Sequence, residues 1–236
     1  MHNVLVNAYV INLKSRADRW RDVLNQADAL GVPLIQVVAV TLGEVSKNGF
    51  VTPPVRATWM SHQKAMKLFL ESGDQYGLIL EDDFVLEKTW EKLDLEQYAS
   101  MGFDFLQVGY LITTPLDQIE LSIKSSFDLF LKILQRVTSR GILSDSKFAN
   151  RFLLREQKLV PFGLVCNDVR PGAHAYIVSR NFALAAQELN LPVVLSTDAL
   201  YMALGWMRSF KFLRTRRNYV SQSKSVTSIV ERFLIQ

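Results

Sequence analysis

Gly77-Leu78-Ile79-Leu80-Glu81-Asp82-Asp83-Phe84-Val85-Leu86 is an apolar run that breaks on three consecutive carboxylates and then turns apolar again. The residues before the break read as a buried strand. Packed strands do not ordinarily end in a triple anion, because adjacent like charges repel and each is costly to desolvate without a positive partner. A divalent cation held by carboxylates and completed by phosphate oxygens, the ligand preference of Mg²⁺ and Mn²⁺, resolves both problems. The competing reading is an acidic turn solvated at a sheet edge. On the first reading, the stretch points to chemistry on a diphosphate.

Upstream, residues 8–13 read as a strand, and Ser15-Arg16-Ala17-Asp18 has the pattern of a helix start. Trp20, Val23, Leu24, Ala27 and Leu30 recur at helical spacing until Gly31 and Pro33 stop the run. The apolar residues 34–40 form the next strand, which completes a βαβ opening. Turn residues Gly43, Gly49, Pro53 and Pro54 then lead to a helix over about 57–72, closed by Gly73. Downstream, residues 103–109 read as a strand and 116–137 as a long amphipathic helix, while 139–172 carries no clear pattern. A strand over 173–178, a helix over 181–189, a helix starting near Asp198 and a short strand over 210–213 follow. The expected fold is α/β, with a mostly parallel central sheet flanked by helices. It forms one domain over 1–236, with a helical insertion around 111–170 and a basic segment around 208–224.

With 236 residues and 49% apolar content the chain can build a full core. Cys166 is the only cysteine, so an internal disulfide framework is excluded and a reducing compartment is expected. The first residues lack a basic-then-apolar leader pattern, and no stretch approaches the ~20 apolar residues of a membrane span. A cytoplasmic protein is expected, with peripheral attachment to an anionic membrane surface as an extension. That extension rests on the crowding of Arg208, Lys211, Arg214, Arg216 and Arg217, which would attract an anionic surface or acceptor. The same cluster reads equally as a solvated surface. Nucleic acid is not expected as a partner, because no helix-turn-helix, zinc or stacking motif accompanies the arginines.

Neither G-x-G-x-x-G nor G-x-x-x-x-G-K-[ST] occurs. Ligands of open α/β sheets sit beyond the carboxyl ends of the strands, where both Lys14-Ser15-Arg16 and Glu81-Asp82-Asp83 should lie. Arg16 and Arg19 are either phosphate and nucleotide ligands or ordinary helix-surface arginines. Asn12 either touches a base or merely ends its strand. His62 falls on one helical stripe with Ala65, Met66 and Phe69, which suits a core-edge histidine as well as a group orienting the acidic loop. His174, just before a strand, is a candidate third metal ligand.

Val10-Ile11-Asn12-Leu13 followed by Arg16, Asp18 and Arg19, then Ser61-His62, then Leu78 to Asp83, then Ala175-Tyr176-Ile177-Val178-Ser179, resembles glycosyltransferase family 25. That family includes bacterial lipooligosaccharide galactosyltransferases and glucosyltransferases. The resemblance implies a GT-A type, Rossmann-like fold and transfer of galactose or glucose from a UDP-sugar to a lipooligosaccharide or related glycan acceptor. It also implies inversion to a β-linkage and a Mn²⁺ or Mg²⁺ cofactor. By that likeness Glu81, Asp82 and Asp83 stand at the DxD-like motif, with Asp83 as direct metal ligand and Glu81 at the metal through water or at the ribose, and Asn12, Arg16, Arg19, His62, Glu81, Asp82 and Gln222 border the donor. Asp198 becomes the catalytic base, although its place in the first turn of a helix equally suits complementing the dipole. A catalytically silent sugar- or glycolipid-binding module on the same scaffold is the alternative.

Overall fold

The computed structural model describes residues 5–111, 165–166, 169–207 and 210–223. Nine strands form one sheet: β1 (Leu5–Asn12), β2 (Leu34–Val38), β3 (Tyr76–Glu81), β4 (Phe84–Leu86), β5 (Phe105–Gly109), β6 (Val165–Cys166), β7 (Ala175–Ser179), β8 (Phe212–Thr215) and β9 (Val220–Gln222). The main order is β2-β1-β3-β7-β5-β8-β6, with β4 paired to β9 and β9 to β5. The described helices are α1 (Ala17–Leu24), α2 (Ala27–Leu30), α3 (Pro53–Ser72), α4 (Leu95–Ser100), α5 (Arg180–Ala186) and α6 (Thr197–Trp206).

The sheet is mixed rather than mostly parallel. β1 runs parallel to β2 and β3, but β7 enters antiparallel between β3 and β5, β6 pairs antiparallel with β8, and β4 with β9. The residue pattern hides this direction. All five positions of β7 are buried, giving the continuous apolar run that a parallel strand also shows.

Alternation sends the strands' side chains into two cores. Tyr9, Ile79, Tyr176, Phe105 and Phe212 meet Trp59, Phe69, Phe182 and Tyr201 of α3, α5 and α6 on one face. Val10, Leu78, Leu80, Ile177, Leu106 and Leu213 meet Val23, Leu30, Trp90 and Tyr98 on the other. Each such buried side chain contributes ~1.5–3 kcal/mol, which fixes the strand register and with it the position of the strand ends.

Two helix boundaries differ from the pattern. The run 17–30 is two helices, because Gln26 between them is drawn to β4: its Nε2 donates to the Phe84 carbonyl at 3.0 Å and its Oε1 accepts from Leu86 N at 2.9 Å. Helix α3 begins at Pro53 rather than near 57, with both prolines in its first turn, where proline's missing N–H costs nothing. The expected strand over 210–213 lies at Phe212–Thr215, the 3₁₀ turn Trp90–Lys92 joins β4 to α4, and the 116–137 helix lies outside the described residues.

Candidate functional site

Register places the acidic stretch at a sheet corner. Ile11 of β1 pairs with Glu81, so β1 and β3 end together, and Asp82-Asp83 make the turn into β4. β9 lies against β4 with Gln222 opposite Phe84, and Ser223 N donates to the Asp83 carbonyl at 2.8 Å. Beyond these strand ends opens a cleft of 630 Å³, within the usual size of a small-ligand site. Arg19, His62, the three acids, Asp198 and Gln222 all line it. Val40, Leu42, Pro54 and Val55 add apolar surface to its lining.

The three neighbouring carboxylates have different surroundings. Asp82 is buried and neutralised, accepting from Arg19 Nη1 at 2.6 Å and from Asn12 Nδ2 at 2.7 Å. Asn12 is held at its other end by Gln36 Nε2 at 2.9 Å, so its amide fastens the acidic turn to β1 and β2 from beneath. Glu81 faces His62, whose Nε2 lies 3.3 Å from Oε1. Burial raises the Glu81 pKa, but the hydrogen bond with His62, with His174 and Arg19 behind it, brings it below the ordinary value.

Asp83 is the exception. Its nearest described cation, Arg19, stands 4.0 Å away and is already committed to Asp82, while Oδ1 is buried with no hydrogen-bond partner. Burial, then the Glu81 charge, push its pKa up to about 7. A largely buried carboxylate short of positive charge is what a cation would correct, and Mg²⁺-like ions often take only one or two protein carboxylates, the remainder coming from water and phosphate. On that donor chemistry Asp83 and Glu81 fit a divalent ion. Among the described residues no three His, Cys, Asp or Glu side chains converge on one point, so Asp83, Glu81 and His174 are not assembled as a ligand trio.

His174 is fully buried and absent from the cleft wall. Its Nε2 lies 3.1 Å from the Val220 carbonyl, and it packs against Gly109 and Gly172, where an added Cβ would fall 2.8 Å and 3.0 Å from its ring nitrogens. Burial lowers its pKa against the opposing pull of Glu81. Arg16 also stays off the wall, pairing with the exposed Asp18 at 2.7 Å and lowering that carboxyl's pKa.

Asp198 sits in the first turn of α6, which Ser196 caps by accepting from Ala199 N at 3.3 Å. Burial and then the Glu81 charge raise its pKa to about 6, while backbone N–H groups of Gly172 and Ala173 oppose the rise. The loop that supplies those amides is clamped by buried Gln107, whose Nε2 donates to the Arg170 and Gly172 carbonyls, both at 2.8 Å. Asp198 is thus a first-turn acid and also a carboxyl that lines the cleft, the two alternatives left open by its sequence position not being separated by this placement.

Two tyrosines that the sequence patterns did not single out for a role stand directly behind the acids. Tyr176 Oη lies 2.7 Å from His62 Nδ1, and Tyr201 Oη donates to Tyr176 Oη at 2.9 Å. These partners are 114 and 25 residues apart, so no local signal joins them. The basic C-terminal cluster does not form one patch. Arg214 is buried over the Tyr110 ring at 4.8 Å, Lys211 Nζ donates to the Met101 carbonyl, Arg216 and Arg217 are exposed, and Arg208 lies outside the described residues. No helix among the described residues is long and apolar enough to cross a membrane.

No protein-family model matches the chain, and no curated protein matches it. The fold is similar to that of A197 from STIV, at 13% identity and a TM-score of 0.44 over 91% of this chain and 82% of that one. It is also similar to a glycosyltransferase involved in glycosylation of the major capsid of PBCV-1, at 6% identity and 0.46 over 98% of both chains. A third likeness is to a protein assigned as a glucose-1-phosphate thymidylyltransferase from Bacillus anthracis, solved in complex with a sucrose. It has 9% identity and a TM-score of 0.43 over 91% of this chain and 69% of that one. At these values the likenesses carry no assignment of activity, and the chemistry follows from the cleft's own residues.

Proposed function

We propose that this chain is a glycosyltransferase of the family 25 kind, transferring galactose or glucose from a UDP-sugar to a lipooligosaccharide or related glycan with inversion to a β-linkage. The observation that carries this reading is the under-neutralised Asp83 in a cleft shared with Glu81, Asp82, Arg19 and Asp198. Asp83 and Glu81 would hold Mn²⁺ or Mg²⁺, which when bound supplies the positive charge that eases departure of the nucleoside diphosphate. Arg19 keeps Asp82 neutralised and adds a guanidinium to the same wall, and Asn12 holds the turn rigid beneath them. Val40, Leu42, Pro54 and Val55 offer apolar surface in the same cleft against which the donor can pack. Asp198 takes the proton of the attacking acceptor hydroxyl onto its carboxylate, a role that a pKa of about 6 leaves it ready for at neutral pH.

A panel of UDP-sugars incubated with Mn²⁺ or with EDTA, with UDP release as the readout, tests the reading. Release that needs the metal and disappears in Asp83→Ala supports it. Release indifferent to chelation and retained in Asp83→Ala refutes the mechanism. A protein that binds sugar or glycolipid without releasing UDP from any donor would be a binding module.

A further inference from the structure

We infer that Tyr176 and Tyr201 are positioning residues that act through His62, fixing its ring so that the Nε2 proton faces Glu81 and one carboxylate oxygen stays turned to the cleft. The two tyrosines, His62 and Glu81 form one line from α6 through β7 and α3 to the end of β3. Tyr201 Oη donates to Tyr176 Oη at 2.9 Å, Tyr176 Oη meets His62 Nδ1 at 2.7 Å, and His62 Nε2 meets Glu81 Oε1 at 3.3 Å. Each phenol has one proton to give, and burial foremost pushes both phenol pKa values up, so both protons stay in place. Having accepted from Tyr201, Tyr176 directs its own proton to Nδ1, which must then be the bare nitrogen. The remaining ring proton lies on Nε2, where the Glu81 carboxylate accepts it.

The surroundings leave the line little freedom. His62, Tyr176 and Tyr201 are each at most 1% exposed. Tyr176 is stacked on Phe105 at 4.9 Å and on His62 at 5.7 Å, and Tyr201 stands edge-on to it at 5.2 Å. A ring flip of His62 would turn Cε1 to the carboxylate and Cδ2 to Tyr176, and both hydrogen bonds would be lost. Glu81, whose side chain is 29% exposed, lines the cleft together with the buried His62, so the line ends at the ligand side of the site. The tyrosines thus preorganise a group they do not touch, as hydrogen-bonded partners behind a binding carboxylate commonly do.

The role of Glu81 rests on the reading of the cleft given above; the orientation of His62 does not. In the full chain labelled with ¹⁵N, long-range ¹H–¹⁵N correlation at fixed neutral pH reads the His62 tautomer, with His62→Gln used to assign the ring. Wild type should show the proton on Nε2. Tyr176→Phe should lose that preference, and Tyr201→Phe should weaken it in the same direction. A wild-type ring protonated on Nδ1 or on both nitrogens, or a tautomer unchanged in Tyr176→Phe, overturns the inference.

Binding of Mn²⁺ alone, followed by its electron paramagnetic resonance signal, separates this from the wider reading. Tyr176→Phe should weaken it by about 10- to 100-fold. Weakening without any tautomer change would be a merely structural effect and would count against the relay. Wild-type protein that binds no Mn²⁺ would refute the metal reading of the corner, while the tautomer measurement would still decide the relay.

Discussion

Two aspartates at opposite ends of the same sheet, Asp104 buried and Asp83 largely so, have opposite surroundings. Asp104, just before β5, is wrapped: Oδ1 accepts from Asn181 Nδ2 at 3.0 Å and Ser179 Oγ at 3.3 Å, and Oδ2 from Lys211 N at 2.9 Å. Asp83, after β3, has a buried oxygen with no partner and a pKa pushed up to about 7 by burial and by Glu81. A carboxylate that serves the fold is given donors. One left short of them, in a cleft beside two more acids, marks the end of the sheet where the proposed ligand would complete the structure.

The largest expected effect tests the ligand end. Asp198→Asn should reduce turnover of the best donor by ~10²- to 10⁴-fold with donor affinity little changed, since only the proton acceptor is lost. In the wild type the rate should fall as pH drops through about 6, because protonated Asp198 cannot accept a proton. A rate that ignores Asp198→Asn would remove the base from the cleft and leave only its helix-start role.

The next effect is on stability. A carboxyl whose folded pKa lies above its unfolded value binds its proton more tightly in the fold. The metal-free protein should therefore lose stability as pH rises from the ordinary carboxylate range through about 7, by about 4 kcal/mol at most. Denaturant midpoints across that range should show the decline, Asp83→Asn should flatten it, and Mn²⁺ should reverse it at the upper end. Asp104→Ala should behave in the opposite way, costing about 1–3 kcal/mol by stranding buried donors, with UDP release per folded molecule unchanged. Equal stability costs at Asp83 and Asp104 would erase the contrast between the two ends.

The smallest expected effect sharpens it. Gln26→Ala removes two hydrogen bonds to β4 and should cost about 1–3 kcal/mol in urea unfolding. Because β4 carries the chain away from Asp83, the same variant should show faster amide exchange at Phe84 to Leu86 than at β7.

Much of the scaffold was legible in the residues. The β1-helix-β2 opening, the long α3 and the buried β3 ending in acids all follow from periodicity, and the acids themselves stood out because charge at the end of an apolar run needs a reason. The direction of β7 was not legible, because Ala175–Ser179 is apolar on both faces whichever way it runs. The division of the 17–30 run was also hidden, because Gln26 reaches a strand 58 and 60 residues away. Among the candidates, Arg19, His62, the three acids, Asp198 and Gln222 come together on one wall. Asn12 and Arg16 are occupied by Asp82 and Asp18, and His174 sits in the core.

The sequence by itself determined that three carboxylates cap a buried strand in an α/β chain, since local pattern and charge suffice for that. Only the tertiary structure decided how they differ, giving Arg19 and Asn12 to Asp82, the His62–Tyr176–Tyr201 line to Glu81, and no described hydrogen-bond partner to Oδ1 of Asp83. A carboxylate's chemistry depends on burial and on the charges within a few ångströms, and those neighbours come from helices and strands far away along the chain.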